Sequence, residues 1–333
     1  MKNYILISFL FISSILFSQQ NENLSNEAFS LLKSKARSFF YSNKDSCVFY
    51  IHKIERSRNT LHLAFAKGAM VNVLSINGEF EKAEKYYKEA LTLVNSSKKS
   101  KDRTEAEAFV YWYGGNFYFF QKQFPKALDD YFKARDFSLE INEINQASMI
   151  QLNIGNIYNE IGNYEQAIQV YKTVDNVIDN SKLSFTPEEY NNKKANINFN
   201  LGICYENYFS KDKSRTTLLD SSFYYYEKTL NLYSNDNWYF KLSSLKNIGN
   251  IYFYKNNFQQ AEDSYLKAIS LAITNNNIPI QYSSAYNLGL IYYEKKDYNS
   301  ALHYLKKVDS LHYIHNSLGL SEYVDSNFKQ AKI

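Results

Sequence analysis

Apolar side chains recur along this chain at the three- and four-residue spacing that places them on one face of a helix, and the faces recur as a fixed pattern. A glycine is followed by a tyrosine at plus three, an aromatic at plus nine, an alanine at plus twelve and another bulky side chain at plus sixteen. The glycines are Gly115, Gly155, Gly202, Gly249 and Gly289, and the tyrosines are Tyr118, Tyr158, Tyr205, Tyr252 and Tyr292. Around the second copy, Asn153 to Tyr158 predict one side of a first helix, while Tyr164, Ala167, Ile168, Tyr171 and Val174 predict the buried stripe of a second. Gly162 falls between them, where a helix-ending residue takes positive φ. The predicted unit is helix, tight turn, helix.

Further copies carry Phe124, Ala127 and Tyr131; Phe258, Ala261, Tyr265 and Ala268; and Tyr298, Ala301, Leu305 and Val308. Upstream, Gly78, Phe80, Ala83, Tyr87 and Ala90 read as a second helix whose partner has Val71 and Leu74 in the glycine and tyrosine places. A degenerate hairpin covers about 24–58, with Cys47 in the alanine place. Glycine spacings of 40, 47, 47 and 40 set a basic period near 40. One surplus places a polar loop of eight inserted residues around Lys211–Leu219, and the other falls between hairpins around Val177–Phe185. All three prolines sit at predicted helix starts: Pro125, Pro279 and Pro187, the last inside a capping box from Thr186 to Glu189. Small residues at the glycine and alanine places let two helices approach, and the rings are expected to fill the space between neighbouring hairpins.

Composition adds limits. With 17% aromatic residues the chain has ample surface to bury, which excludes disorder. Residues 1–18 have a signal-peptide layout: Lys2, an apolar stretch from Tyr4 to Phe17, then Ser18. As a helix that stretch reaches about 21 Å, short of the roughly 30 Å hydrocarbon core, so cleavage after Ser18 and a mature chain without a membrane span are expected. Removing Lys2 lowers the net charge from +4 to 37 − 34 = +3, too weak and too mixed for a nucleic-acid binder. The basic run Lys98–Arg103 is followed at once by Glu105 and Glu107 and reads as a solvated linker. Cys47 and Cys204 lie in different repeats and are expected to be buried free thiols.

This pattern resembles the tetratricopeptide repeat, in which Gly155, Tyr158, Gly162, Tyr164, Ala167 and Tyr171 would fill positions 8, 11, 15, 17, 20 and 24. The resemblance covers about 60–310, and the long period is similar to that of kinesin-light-chain-like and bacterial regulatory repeats. It implies an all-α fold, a right-handed superhelical solenoid of six to seven antiparallel helix pairs over residues 19–333, with an incomplete repeat at about 311–333. It also implies that the first helices line an inner groove.

Asparagine recurs on those first helices. Asn153, Asn200, Asn247 and Asn287 stand two residues before a glycine, and Asn116, Asn156 and Asn250 one residue after, with Asn72 in the matching place upstream. An amide both donates and accepts, so such a ladder suits an extended peptide; the competing reading is that the amides bond each other or helix ends. Lys246, Asn250 and Asn287 also look like part of the carboxylate clamp with which some family members hold a peptide C-terminus, although Tyr323 and Asn327 stand where the next basic pair belongs. Trp112, Phe119, Phe120, Phe253, Tyr254, Tyr286 and Tyr293 share those helices and could form apolar pockets.

His303, His312 and His315 have no accompanying cysteine and few nearby acids, so no metal site is assigned to them. No phosphate-cradling loop, His-Glu-x-x-His or Gly-x-Ser-x-Gly occurs, so neither catalysis nor a cofactor is expected. The expected function is an exported, periplasmic or envelope scaffold, non-enzymatic, that binds a protein or an extended peptide. The alternative is the sensory portion of a bacterial signalling regulator, of transcription-factor or histidine-kinase type, without its membrane and effector parts.

Overall fold

The structure is a computed structural model, and it describes residues 24–40, 43–232, 238–315 and 330. The expected signal segment 1–18 lies outside them, as does nearly all of the expected incomplete repeat at 311–333. Among the described residues there are fourteen α-helices, one short 3-10 turn and no strand. In chain order they are α1 (Asn26–Ser38), α2 (Lys44–Ile54), α3 (Thr60–Ile76), α4 (Phe80–Ser96), α5 (Lys101–Phe120), α6 (Phe124–Glu140) and α7 (Ile144–Glu160). Then follow α8 (Tyr164–Asn180), α9 (Pro187–Lys211), α10 (Thr217–Asn231), α11 (Trp238–Tyr254), α12 (Phe258–Thr274), α13 (Ile278–Glu294) and α14 (Tyr298–His315). None of the described helices is long and apolar enough to cross a membrane.

The chain divides into two compact units between Ile157 and Tyr158, within the last turn of α7. In the first unit α1 pairs with α2, α3 with α4 and α5 with α6, while α3 also packs on α5. Its core runs from Ala36 through Phe65 and Tyr87 to Phe117. In the second unit α9 pairs with α10, α11 with α12 and α13 with α14, and α8 packs on α9. Its core holds Phe199, Tyr226 and Ile251 in one part and Tyr265, Leu288 and Val308 in another.

The helix-turn-helix connection has a recurring cause. Gly78, Lys122, Gly162, Asn256 and Lys296 take φ between 58° and 78°, reversing the chain in one residue. The next amide then bonds back to the carbonyl of the plus-three residue: Gln123 to Tyr118 at 2.9 Å, Asn163 to Tyr158 at 2.8 Å, Asn257 to Tyr252 and Asp297 to Tyr292 at 2.9 Å. Glu79 does the same to Leu74. Tyr118, Tyr158, Tyr252 and Tyr292 therefore mark the helix end as well as filling a half-buried slot.

Two expectations need correction. The surplus residues are largely helical: α9 is 25 residues long where its counterparts α7, α11 and α13 have 17, starting one turn earlier relative to its glycine and ending one turn later. Only Asp212–Thr216 separates it from α10, and Val177–Asn180 belongs to α8. The extra C-terminal turn persists because it packs, Tyr208 stacking on Tyr164 at 5.1 Å and bonding Glu165. The capping box at Thr186 forms as read, Glu189 N–H donating to the threonine hydroxyl at 3.2 Å and Thr186 N–H to the Glu189 carboxylate at 2.9 Å.

The second correction concerns the plus-sixteen side chains Tyr131, Tyr226, Tyr265 and Leu305, which pack on the glycine of their own hairpin, whereas Tyr87 fills the space between neighbouring hairpins as expected. A Cβ on Gly115 would lie 2.3 Å from the Tyr131 ring, one on Gly202 or Gly249 2.6 Å from Tyr226 or Tyr265, and one on Gly289 2.7 Å from Leu305. Gly114 serves the neighbouring hairpin, because its Cβ would come within 2.3 Å of Tyr87. The adjacent glycines of α5 thus receive a ring from each side. In the alanine place Ser222 is fully buried, and its hydroxyl bonds the Gly202 carbonyl at 2.8 Å, which satisfies the one polar atom the exchange introduces. Both cysteines are free and buried, and burial pushes each thiol up to about 12.

Candidate functional site

The rings seated on the glycines carry hydroxyls, and these reach the asparagines of the first helices. In the first unit the Tyr131 hydroxyl donates to Asn116 Oδ1 at 2.7 Å, which also accepts from Asn153 Nδ2 at 3.3 Å. Asn116 Nδ2 in turn donates to Asn72 Oδ1 at 2.7 Å. Three successive first helices, α3, α5 and α7, are joined by one amide ladder, in which Asn72 and Asn116 are buried and Asn153 is half-buried.

The second unit repeats the arrangement with one exchange. Asn250 Oδ1 accepts from the Tyr265 hydroxyl at 2.9 Å and from Asn287 Nδ2 at 3.0 Å. Its Nδ2 donates at 3.0 Å to Glu206 Oε1, a carboxylate standing where the first unit has an amide. Glu206 Oε2 accepts from the Tyr226 hydroxyl at 2.8 Å, and Asn247 Nδ2 donates to that hydroxyl oxygen at 2.9 Å. Burial raises the pKa of Glu206 against the opposing pull of Asn250, Lys246 and Tyr226. Burial likewise pushes the Tyr226 and Tyr265 phenols up, which keeps both as donors.

The predicted residues fare differently. Asn116, Asn153 and Asn156 come together, and with Phe119, Phe120 and Tyr131 they line a hollow of about 140 Å³ on the first-helix side of α5 and α7. Asn250 and Asn287 also meet, but the clamp-like amide of Asn250 is engaged by Glu206, a carboxylate of this chain. Asn247 is buried and bonded to Tyr226. Asn200 turns along its own helix to Asn196 at 2.9 Å. Lys246 is half-buried and acts electrostatically on Glu206.

Glu206 is the functional-looking residue that the repeat pattern did not single out. Its only signal is an acid one helical turn after a glycine, on a first helix, where it meets Asn250 and Tyr226. Chemically, these sets of amides, phenols and one carboxylate can hold polar groups and orient one another.

Four segments match models of the tetratricopeptide repeat: residues 243–275 match one, and 68–93, 150–177 and 282–311 match another. No curated protein sequence matches the chain. Several solved structures share its fold. The apo form of RapI aligns with a TM-score of 0.64 at 13% identity, over 85% of this chain and 76% of that one. A Rap protein complexed with competence and sporulation factor aligns at 0.57 with 14% identity, over 90% and 78%. NprR in complex with its cognate peptide NprX aligns at 0.54 with 13% identity, over 92% and 90%. At such identities the likeness is one of fold. The recurring glycine, tyrosine and alanine places, the hairpins they build and the four matched segments agree: this chain carries tetratricopeptide repeats.

Proposed function

We propose that this chain is an exported, non-enzymatic scaffold that holds a protein segment or an extended peptide on its first-helix face, gripping it chiefly between α5 and α7. The observation that carries the reading is the hollow where the amides of Asn116, Asn153 and Asn156 meet the rings of Phe119 and Phe120. Side-chain amides match the alternating donors and acceptors of an extended backbone, and the rings accept an apolar side chain. A volume of about 140 Å³ suits one such side chain. Further support is the fold shared with a Rap protein and with NprR, solved with competence and sporulation factor and with the peptide NprX. The same two structures favour a second reading, in which the repeats are the sensory portion of a signalling regulator and the bound peptide is its signal.

Export rests on the layout of residues 1–18. It is checked by fusing that segment to a phosphatase active only outside the cytoplasm; an inactive fusion contradicts it. For binding, the full chain is panned against a random linear peptide library, and enriched sequences are titrated against the chain and its Asn153→Ala/Asn156→Ala variant. The reading expects enriched peptides whose affinity falls about tenfold or more in the variant, the loss of one to two charge-free hydrogen bonds in a desolvated site. Unchanged affinity in a folded variant removes the α5–α7 grip.

A further inference from the structure

A second cavity in the first unit, of about 300 Å³, opens between the N-terminal ends of α1, α3 and α5. We propose that it binds a primary ammonium group carried on a single apolar body. Its floor is aromatic: Phe65 and Phe109 are almost fully buried, with Phe65 edge-on to Phe29 at 5.7 Å and to Phe109 at 5.2 Å. His62 stacks on Phe29 at 3.8 Å and is fixed by Ser57 Oγ, 2.9 Å from its Nδ1. Burial lowers the pKa of His62, so the imidazole is neutral and brings no competing positive charge.

The wall already displays the chemistry it selects. The Lys33 ammonium sits over the Phe29 ring at 5.4 Å and the Phe109 ring at 5.2 Å, with Glu105 Oε1 at 2.5 Å behind it. Ring faces backed by a carboxylate attract ammonium groups. A second carboxylate, Asp102, lines the same cavity and has no ion-pair or hydrogen-bond partner among the described residues. Lys33 against Asp102 and Glu105 leaves the lining at 1 − 2 = −1 in formal charge. A monocation at Asp102 balances the charge of this lining, and the Arg37 guanidinium, 5.0 Å over the Phe109 ring, lies outside it. The three phenyl rings supply the apolar contact, and the volume lies at the lower end for ligand pockets, enough for one ring or branched chain. A free amine and the amino-terminal residue of a peptide share this chemistry. The inference does not rest on the α5–α7 grip, which uses different residues.

The test uses the full chain and four probes: 2-phenylethylamine, its N-acetyl form, the tripeptide amide Phe-Ala-Ala-NH2, and that tripeptide acetylated at its N-terminus. Binding is read by calorimetry, on the wild type, on Asp102→Asn and on Lys33→Met. Asp102 is exposed, so its variant keeps the fold, and circular dichroism confirms it. The expected result is that the free amines bind, that acetylation abolishes binding, and that Asp102→Asn weakens it about tenfold, the loss of one charged hydrogen bond. Lys33→Met, by removing the resident ammonium, tightens it. Binding of both free probes supports the shared site; binding of only one supports it and assigns the source to free amine or to peptide terminus. Equal affinity for the acetylated probes, indifference to Asp102→Asn, or no binding by any probe overturns it.

Discussion

The phenol ring of Tyr131 occupies the space that a Cβ on Gly115 would need, 2.3 Å from that position, and its hydroxyl continues to Asn116, the next residue along. One side chain thus closes the α5–α6 crossing and anchors the amide ladder. Gly115→Ala forces ring or helix aside, an overpacking that costs about 1–3 kcal/mol. Urea unfolding should show that loss. A wild-type midpoint in the variant contradicts the seating.

Lys122 and Lys296 hold φ of 58° and 61°, in a place where Gly78 and Gly162 stand in other hairpins. A side chain in the left-handed region costs about 1 kcal/mol, so Lys122→Gly and Lys296→Gly are each expected to raise stability by roughly 0.5–1 kcal/mol despite glycine's freer unfolded state. Gly78→Ala, with nothing within 4 Å of its Cβ, should lose about 1 kcal/mol through backbone strain alone. Thermal melts of the three variants check the signs.

Asp130 is buried and accepts from the Tyr87 hydroxyl at 2.6 Å, joining α6 to α4. Burial pushes its pKa from 3.8 up to about 6, against the pull of Tyr87 and Lys133. The folded state therefore holds this proton more tightly than the unfolded one. The associated stability is present below about pH 4 and is lost as the pH rises through 6. Asp130→Asn should stabilise the chain by about 1–3 kcal/mol at pH 7.5 and by little at pH 4, read as the difference in melting temperature at the two pH values. A gain of the same size at both contradicts the burial of the charge.

The hairpins were legible in the sequence because Gly, Ala and Tyr at fixed places each answer a local steric need, and Gly162 at φ 78° and Pro187 in its capping box are found where expected. Two things were not. The destination of the Tyr131, Tyr226 and Tyr265 rings depends on which neighbour offers room, and a periodic pattern cannot say that Gly114 rather than Val71 accommodates Tyr87. The surplus around Lys211–Leu219 was read as a loop because polar residues look alike in a loop and on a helix face, whereas Lys211 ends α9 and Thr217–Leu219 open α10, with only Asp212–Thr216 between them. At the candidate site, the asparagines were legible as a set, while their division into enclosed and half-buried members was not. That division follows burial: Asn116 and Asn247 are enclosed, whereas Asn153 and Asn156 are half-buried.

This division separates stability from binding. Asn116→Ala removes a buried amide that serves Tyr131, Asn153 and Asn72, and is expected to cost about 1–3 kcal/mol. Asn156→Ala should leave stability within about 0.5 kcal/mol, as for a substitution outside the core, and weaken binding of a library-selected peptide. Denaturation and titration of the two variants should therefore give opposite orders of severity.

The central claim is that a peptide lies on the first-helix face between α5 and α7. Photo-crosslinking with p-benzoylphenylalanine tests it most directly. The probe replaces Phe120 on α5, or Leu139 on α6, which are similarly exposed at 39% and 45%. The account predicts that a library-selected peptide crosslinks from position 120 and not from 139. Crosslinking from 139 without crosslinking from 120 would place the peptide on the second-helix face and contradict it.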